Sequence, residues 1–470
     1  MDGDRRIARG LFVLAWVTFA WFYGGAGWNG HAQFDLTRAL VERHTLYIDG
    51  YDVNTGDVSR GGSHTYSNKP PGVSFLAAIP YAGIYAIERS LRLPVDHLER
   101  TNLWISTALT CGLSGALIGA ILFLYARRSM HATARAAVAV SLAIVFGTIV
   151  FPYSTMPFAH VPAALFLLLA FTLLDERPLA AGVAAGLATC CFYVCAVSAL
   201  ILLVAAARRS RLRFLGGAAP FALALAAYQW RCFGSPFRTA VEASMTNTQK
   251  GLLLGVLRLP RLGALYGITL SPYRGLFFAA PVLLFALAGL VAMARDRSQR
   301  RVLITIAAIA GSYFAVIASF NGWDGGWAFG PRYVLPVVPF LGIPMLFALR
   351  SCPRPAIALW VAAALLSFAV HFIATSTDAM PSPSVHDPIG HYLLPAFFHG
   401  RISEETRAAF PWYDSTRVDK VTLPADAGNL GELIAGEGRR SSVMPILMWL
   451  IAGSALLLMR ARRVDVGGGR

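Results

Sequence analysis

The residue types that could do chemistry are concentrated in a few polar stretches of an otherwise apolar chain. Residues 29–71 hold Asp35, Arg38, Asp49, Asp52, Asp57, His64, Tyr66 and Lys69. Lys69 stands directly before Pro70-Pro71. Further along, Arg274 lies in Ser271-Pro272-Tyr273-Arg274-Gly275, and Arg332 in Gly330-Pro331-Arg332-Tyr333. A cation fixed beside proline at the start of an apolar helix suits the binding of an anion through charge-assisted hydrogen bonds. Asp35, the first acid of the stretch, suits general-base duty; Asp49, Asp52 and Asp57 are alternatives, though Gly50 and Gly56 beside them suggest turn chemistry. Trp323, Asp324 and Trp327 flank Gly325-Gly326 and offer aromatic surface with room for close backbone approach. His160 closes the stretch 152–160 and reads equally as a site residue or as a hydrogen-bonded anchor.

The elements that must position these residues are membrane helices. Of the 470 residues, 56% are hydrophobic and 14% charged. Apolar runs at 11–22, 103–125, 136–151, 279–293 and 302–320 approach or reach the ~20 residues needed to cross a bilayer. The net charge of +16 falls in short clusters between these runs, which is the positive-inside pattern rather than a nucleic-acid footprint. The six cysteines show no metal-ligand spacing. The N-terminal run reads as an uncleaved anchor.

Charge parity then sets the topology. If every basic cluster is cytoplasmic, an even number of crossings separates neighbours. On that condition 72–87 lies in the outer interface, and 179–207 is a pair of short helices turning near Tyr193. About twelve crossings result, in an all-α polytopic membrane protein with interfacial helices in its first outside loop. The expected divisions are a transmembrane core, 1–375 (first outside loop 29–102), an outside lid or cap, 376–441, and a last transmembrane helix with its tail, 442–470. Within the first loop, Phe34, Leu36, Leu40, Val41 and Leu46 suggest an amphipathic helix. Asp35 is placed near its start, where the helix dipole and Arg38 favour the carboxylate.

Arg274 and Arg332 fall outside, against the positive-inside trend, so anion binding explains them better than topology. Cations, a carboxylate and aromatic surface at the outer boundary suit a lipid-linked phosphate with a sugar head group. A transporter of such lipids fits less well, because transport sites usually lie midway along the helices.

The sequence resembles the GT-C-fold, polyprenyl-phosphate-sugar-dependent glycosyltransferases, which include protein O-mannosyltransferases and the transferases that add aminoarabinose to lipid A. The resemblance rests on Phe34-Asp35-Leu36-Thr37-Arg38, Tyr66-Ser67-Asn68-Lys69-Pro70 and Arg332-Tyr333-Val334-Leu335-Pro336, and covers about 5–375. It implies a catalytic carboxylate at Asp35 and a lipid-phosphate contact at Lys69. Arg332, Arg274, Tyr66, His64, Arg38, His160, Trp323, Asp324 and Tyr333 complete the expected substrate-binding set. The implied partners are a polyprenyl-phosphate-linked sugar, membrane lipids, and a lipid, glycan or protein acceptor. The implied place is the outer face of a bacterial cytoplasmic membrane. Some members carry paired acids at the first site, whereas Leu36 follows Asp35 here. A lone carboxylate is a poor divalent-cation site, so no metal is firmly implied.

Overall fold

The computed structural model describes residues 2–245, 256–350, 352–404, 427–436 and 438–467. It is a helical bundle with two small two-stranded sheets. The first helix, α1 (Asp2–Trp21), runs into the two-residue strand β1 (Phe22–Tyr23) and then α2 (Gly27–Arg38). The hairpin β2 (Val58–Gly61) and β3 (His64–Ser67) leads to α3 (Gly72–Ser90). Next come α4 (Glu99–Thr107), α5 (Leu113–Arg128), α6 (Ala134–Phe146), α7 (Val150–Ser154), α8 (His160–Thr172), α9 (Pro178–Cys191), α10 (Cys195–Ala205) and α11 (Arg211–Phe233). The second half holds α12 (Leu262–Thr269), α13 (Leu276–Ala279), α14 (Leu284–Ala294), α15 (Arg300–Ser319), α16 (Val338–Arg350) and α17 (Arg354–Thr377). It closes with α18 (Leu394–Phe398), β4 (Gly428–Asn429), α19 (Glu432–Ala435) and α20 (Met444–Gly467).

Five helical stretches are long and apolar enough to cross a membrane: Val95–Arg128, Arg297–Ser319, Arg332–Arg350, Arg354–Thr377 and Arg440–Val466. Several shorter apolar helices stand beside them. This is a multi-pass membrane protein. The pair of short helices expected within 179–207 is present as α9 and α10, with Tyr193 in the turn between them. Helix α9 packs closely on α11 through glycine. A Cβ on Gly182 would stand 1.9 Å from the Phe214 carbonyl oxygen, and one on Gly217 would stand 2.1 Å from that of Leu179. Small residues that bring helix backbones together are a common packing device in membranes.

The two ends of the described chain are fastened together. Phe22 and Tyr23 pair antiparallel with Asn429 and Gly428. Leu457 of α20 lies over Gly10, and Leu14 over Gly453. The Asp465 carboxylate accepts from the backbone N–H groups of Ala134 (2.7 Å) and Arg135 (3.1 Å). It thereby satisfies donors at the start of α6 that have no partner within their own helix.

In the first loop, α2 starts at Gly27 without a side-chain cap, and residues 30–38 are all buried. Asp35 therefore lies in the last turn of α2, not near its start, and the helix N-terminus does not act on it. Of the expected lid, 405–426 lies outside the described residues. Its opening part is laid against the loop that carries Arg274: Tyr273 donates its hydroxyl to the Pro383 carbonyl (2.9 Å) and stacks on His386.

Candidate active site

Lys69 owes its position to the β2–β3 hairpin. Gly62-Ser63 forms the turn, and pairing of Val58 with Ser67 brings Asp57 opposite Asn68. Asn68 donates its backbone N–H to the Asp57 carbonyl and its side-chain amide to the carboxylate (both 3.1 Å). The next residue completes the contact: Lys69 Nζ lies 2.8 Å from Asp57 Oδ2, and each side chain is only 18% exposed. Burial opposes the charge on Asp57, but Lys69, aided by Asn68 and the charge of Arg332, holds its carboxyl below the usual range. Pro71 then caps α3 and fixes the chain just after the lysine.

Arg332 approaches from the other half of the molecule. It sits immediately before α16, in a 3₁₀ turn (Arg332–Val337), and is only 8% exposed. Its guanidinium carbon lies 5.2 Å from the ring centre of Phe158 and 5.1 Å from that of Tyr333. Nη2 has a long contact, 3.4 Å, to the Tyr333 hydroxyl, and Nε finds no acceptor among the described residues. No carboxylate among the described residues forms an ion pair with it. His160, at the start of α8, is buried among Tyr153, Phe158, Phe192 and Tyr333. Neither ring nitrogen has a hydrogen-bond partner among the described residues. The charges of Arg332 and Lys69 both act on this ring, so the two cations and the imidazole share one neighbourhood. Phe192 stacks parallel to Tyr333, and Phe320 meets it edge-on.

Arg274 is engaged differently. It is 1% exposed and donates Nη2 to the Gly326 carbonyl at 2.7 Å and Nη1 to the Ala328 carbonyl. The backbone reaches it because Gly325 and Gly326 both adopt positive φ, 77° and 63°, a conformation that costs other residues more. A Cβ on Gly325 would also press on the Arg332 side chain at 3.1 Å. The geometry makes Arg274 the anchor of the loop that carries Arg332, in place of a direct anion contact. Trp323 packs over Gly267 of α12, and Asp324 accepts from the Tyr273 hydroxyl at 3.3 Å; both are half-buried on the same loop.

The remaining expected residues lie elsewhere. His64 Nδ1 is 2.5 Å from Asp49 Oδ2, and its ring stacks on Tyr47. Tyr66 is buried against Phe233 and the rest of a small apolar cluster. These two hold the hairpin. Asp35 and Arg38 belong to a second buried polar cluster. Arg38 pairs with Glu42 (2.8 Å), Asp96 (2.6 Å) and Glu99 (3.5 Å). Asp35 Oδ1 accepts weakly from Asn54 at 3.4 Å, and Oδ2 finds no donor among the described residues. Burial raises the Asp35 carboxyl well above its ordinary range. Glu99 adds to the rise, while His31, Asn54 and Arg38 offset only part of it. The surroundings thus oppose the ionised carboxylate expected there, because desolvation outweighs the nearby cations. Among the described residues, no group of three or more His, Cys, Asp or Glu side chains is placed to hold a metal ion.

The aromatic wall of Phe158, Phe192 and Phe320 carries no sequence signal, since three separate segments supply it. Asp57 does carry one: two short alternating runs around Gly61-Gly62-Ser63 are a hairpin signature, and the register follows from it.

No family model matches the sequence, and no curated protein matches it. Among solved structures, an archaeal oligosaccharyltransferase, AglB from Archaeoglobus fulgidus in complex with an inhibitory peptide and a dolichol-phosphate, superposes with a TM-score of 0.51 at 14% identity. The match covers 80% of this chain. The chain has the GT-C fold. It spans 56% of the length of AglB, so the likeness covers only part of that protein. ArnT from Cupriavidus metallidurans is also similar, in the apo state and bound to undecaprenyl phosphate. Each form has a TM-score of 0.48 and 15% identity; 96% and 97% of this chain, and 74% and 75% of ArnT, are covered.

Proposed function

We propose that this protein is an inverting glycosyltransferase that moves a monosaccharide from a polyprenyl-phosphate donor to a lipid, glycan or protein acceptor. The reaction is placed at the outer face of a bacterial cytoplasmic membrane. One observation carries the reading: Arg332 is buried with no ion pair among the described residues, near the Lys69–Asp57 pair and an unpartnered His160, against aromatic rings. A buried guanidinium is costly unless it meets an anion. The phosphate of the donor would meet Lys69 and Arg332, and as the sugar leaves, those cations would neutralise the charge that develops on it. The aromatic wall suits the first isoprene units or a sugar face.

For the acceptor proton, the sequence offers Asp35 first and Asp57 among its alternatives, and the geometry favours Asp57. Burial opposes ionisation of Asp35, whereas Asp57 lies against Lys69. The test is binding of undecaprenyl phosphate to the purified protein, together with transfer from a lipid-linked sugar. Wild type should bind and transfer, and Arg332→Ala should lose both while still folding. Equal binding by wild type and Arg332→Ala would end the proposal. Binding without transfer to any acceptor would favour lipid transport instead.

A further inference from the structure

Resting on that phosphate-site reading, the local geometry gives Asp57 a task that a plain counter-ion does not have. The site sets two cations, Lys69 and Arg332, against one carboxylate. Asp57 and a donor phosphate would seek the same ammonium group, and two anions crowded on it repel each other. The Asp57 backbone cannot follow its side chain away. Asn68 N–H holds its carbonyl, its own N–H donates to Thr55 Oγ1 at 3.0 Å, and Met245 N–H pins the carbonyl of Val58 at 3.0 Å. A displaced carboxylate can only rotate about its own side-chain bonds, and so stays within a few ångströms of the phosphate it yields to.

We infer that the donor phosphate displaces Asp57 from Lys69, and that the released carboxylate is the base for the acceptor hydroxyl. The acceptor O–H gives its proton to Asp57. Its oxygen forms the new bond to the anomeric carbon while the bond from that carbon to the phosphate oxygen breaks. The electron pair leaves with the polyprenyl phosphate, and Lys69 and Arg332 meet its added negative charge. Ionic contact passes from carboxylate to phosphate, so a free base forms only where a donor is bound. That order protects the site from deprotonating an acceptor with no sugar to receive it.

The test uses the full-length protein in detergent, undecaprenyl phosphate as the binding probe, and restoration of the missing saccharide in a deletion strain as the measure of transfer. Asp57→Asn should bind undecaprenyl phosphate about tenfold tighter than wild type, the scale of one charge-assisted contact. Its product should fall by ~10²–10⁴-fold. The gain in binding should vanish in Asp57→Asn/Lys69→Gln. Removing one partner of a buried pair can unfold a protein, so transfer is also compared between Lys69→Gln and the double variant. The added Asn should remove about 100-fold of whatever transfer Lys69→Gln retains. Unchanged or weaker binding by Asp57→Asn, or equal transfer by Lys69→Gln and the double variant, would overturn the inference. If Lys69→Ala and Arg332→Ala bind as wild type does, the phosphate-site reading fails first. If they lose binding while Asp57→Asn gains none, only the role of Asp57 falls.

Discussion

Arg38 and Arg332 are both buried arginines, yet their surroundings are opposite. Arg38 is enclosed by Glu42, Asp96 and Glu99, and it lies over the ring of Tyr51. Glu42 in turn accepts from the hydroxyls of Tyr51 (2.9 Å) and Tyr81 (2.6 Å). Arg332 has aromatic rings and a long contact to one hydroxyl, and no acid among the described residues pairs with it; Asp57, paired with Lys69, acts on it only through its charge. The first cluster neutralises its own cation; the second holds cation in excess. A buried charge balanced from within ties α2 to the segment before α4. A buried charge left without an ion pair suits an anion from outside the fold, as the proposed function requires. The difference sets a structural polar core against the proposed phosphate site.

The sharpest way to break the comparison is to remove each arginine. Arg38→Met should destabilise the protein by about 1–3 kcal/mol, because it leaves the half-buried Glu42 and Glu99 without their cation. It should be read by thermal unfolding in detergent. Arg332→Met should leave stability near wild type while undecaprenyl phosphate binding falls by ~100-fold, the upper end for a charge-assisted contact in a dry site. If Arg332→Met unfolds like Arg38→Met, the two clusters are of one kind.

Lys69→Ala comes next, with an expected loss of ~10- to 100-fold in donor affinity, measured by the same titration. Its effect should be smaller than that of Arg332→Met, since Asp57 already occupies part of the lysine's capacity.

The carboxyls sharpen the contrast further. Asp35→Asn removes a carboxyl whose ionised form burial opposes and keeps its shape, so transfer should fall by less than about tenfold, well short of the ~10²–10⁴-fold of a lost base. A loss of that larger size would return the catalytic role to Asp35. The smallest effect is a pH dependence. The folded-state carboxyl of Asp35 is raised above its ordinary value of 3.8, so the folded state binds the proton more tightly than the unfolded chain does. Its contribution to stability is greatest at low pH and declines as pH rises from about 4 through the raised value. Asp35→Asn should remove that decline. Its melting temperature should therefore gain on that of wild type as pH rises.

Much of the architecture was legible in the sequence because bilayer thickness imposes lengths that hydropathy reveals. The short α9–α10 pair followed from charge parity and helix rise alone. Lys69 and Arg332 stood out because a cation beside proline at a helix start is unusual. Asp35 was misplaced on its helix because α2 begins at Gly27 after Ala26, which offers no cap to mark the start. Arg274 looked like Arg332 in sequence, and only the positive-φ turn at Gly325-Gly326 shows whose carbonyls it holds. The opposition to ionisation at Asp35 was not legible either, since desolvation depends on what the rest of the fold lays around a residue. Those partners, Asn54 and Glu99, lie far along the chain.

The pairing of α1 with α20 has a consequence for how the protein is made. Helix α1 is complete at Trp21, and α20 begins at Met444. At about 5–20 residues per second, roughly 20–80 s of translation separate them. Throughout that interval the groove at Gly10 and the Leu14 side chain lack their companions Leu457 and Gly453, and the start of α6 lacks Asp465. A chain made only as far as α19 thus carries an open seam down the side of its bundle, and α20 shuts it. Membrane proteases and insertion chaperones would find that seam on a stalled or truncated copy and not on a finished one.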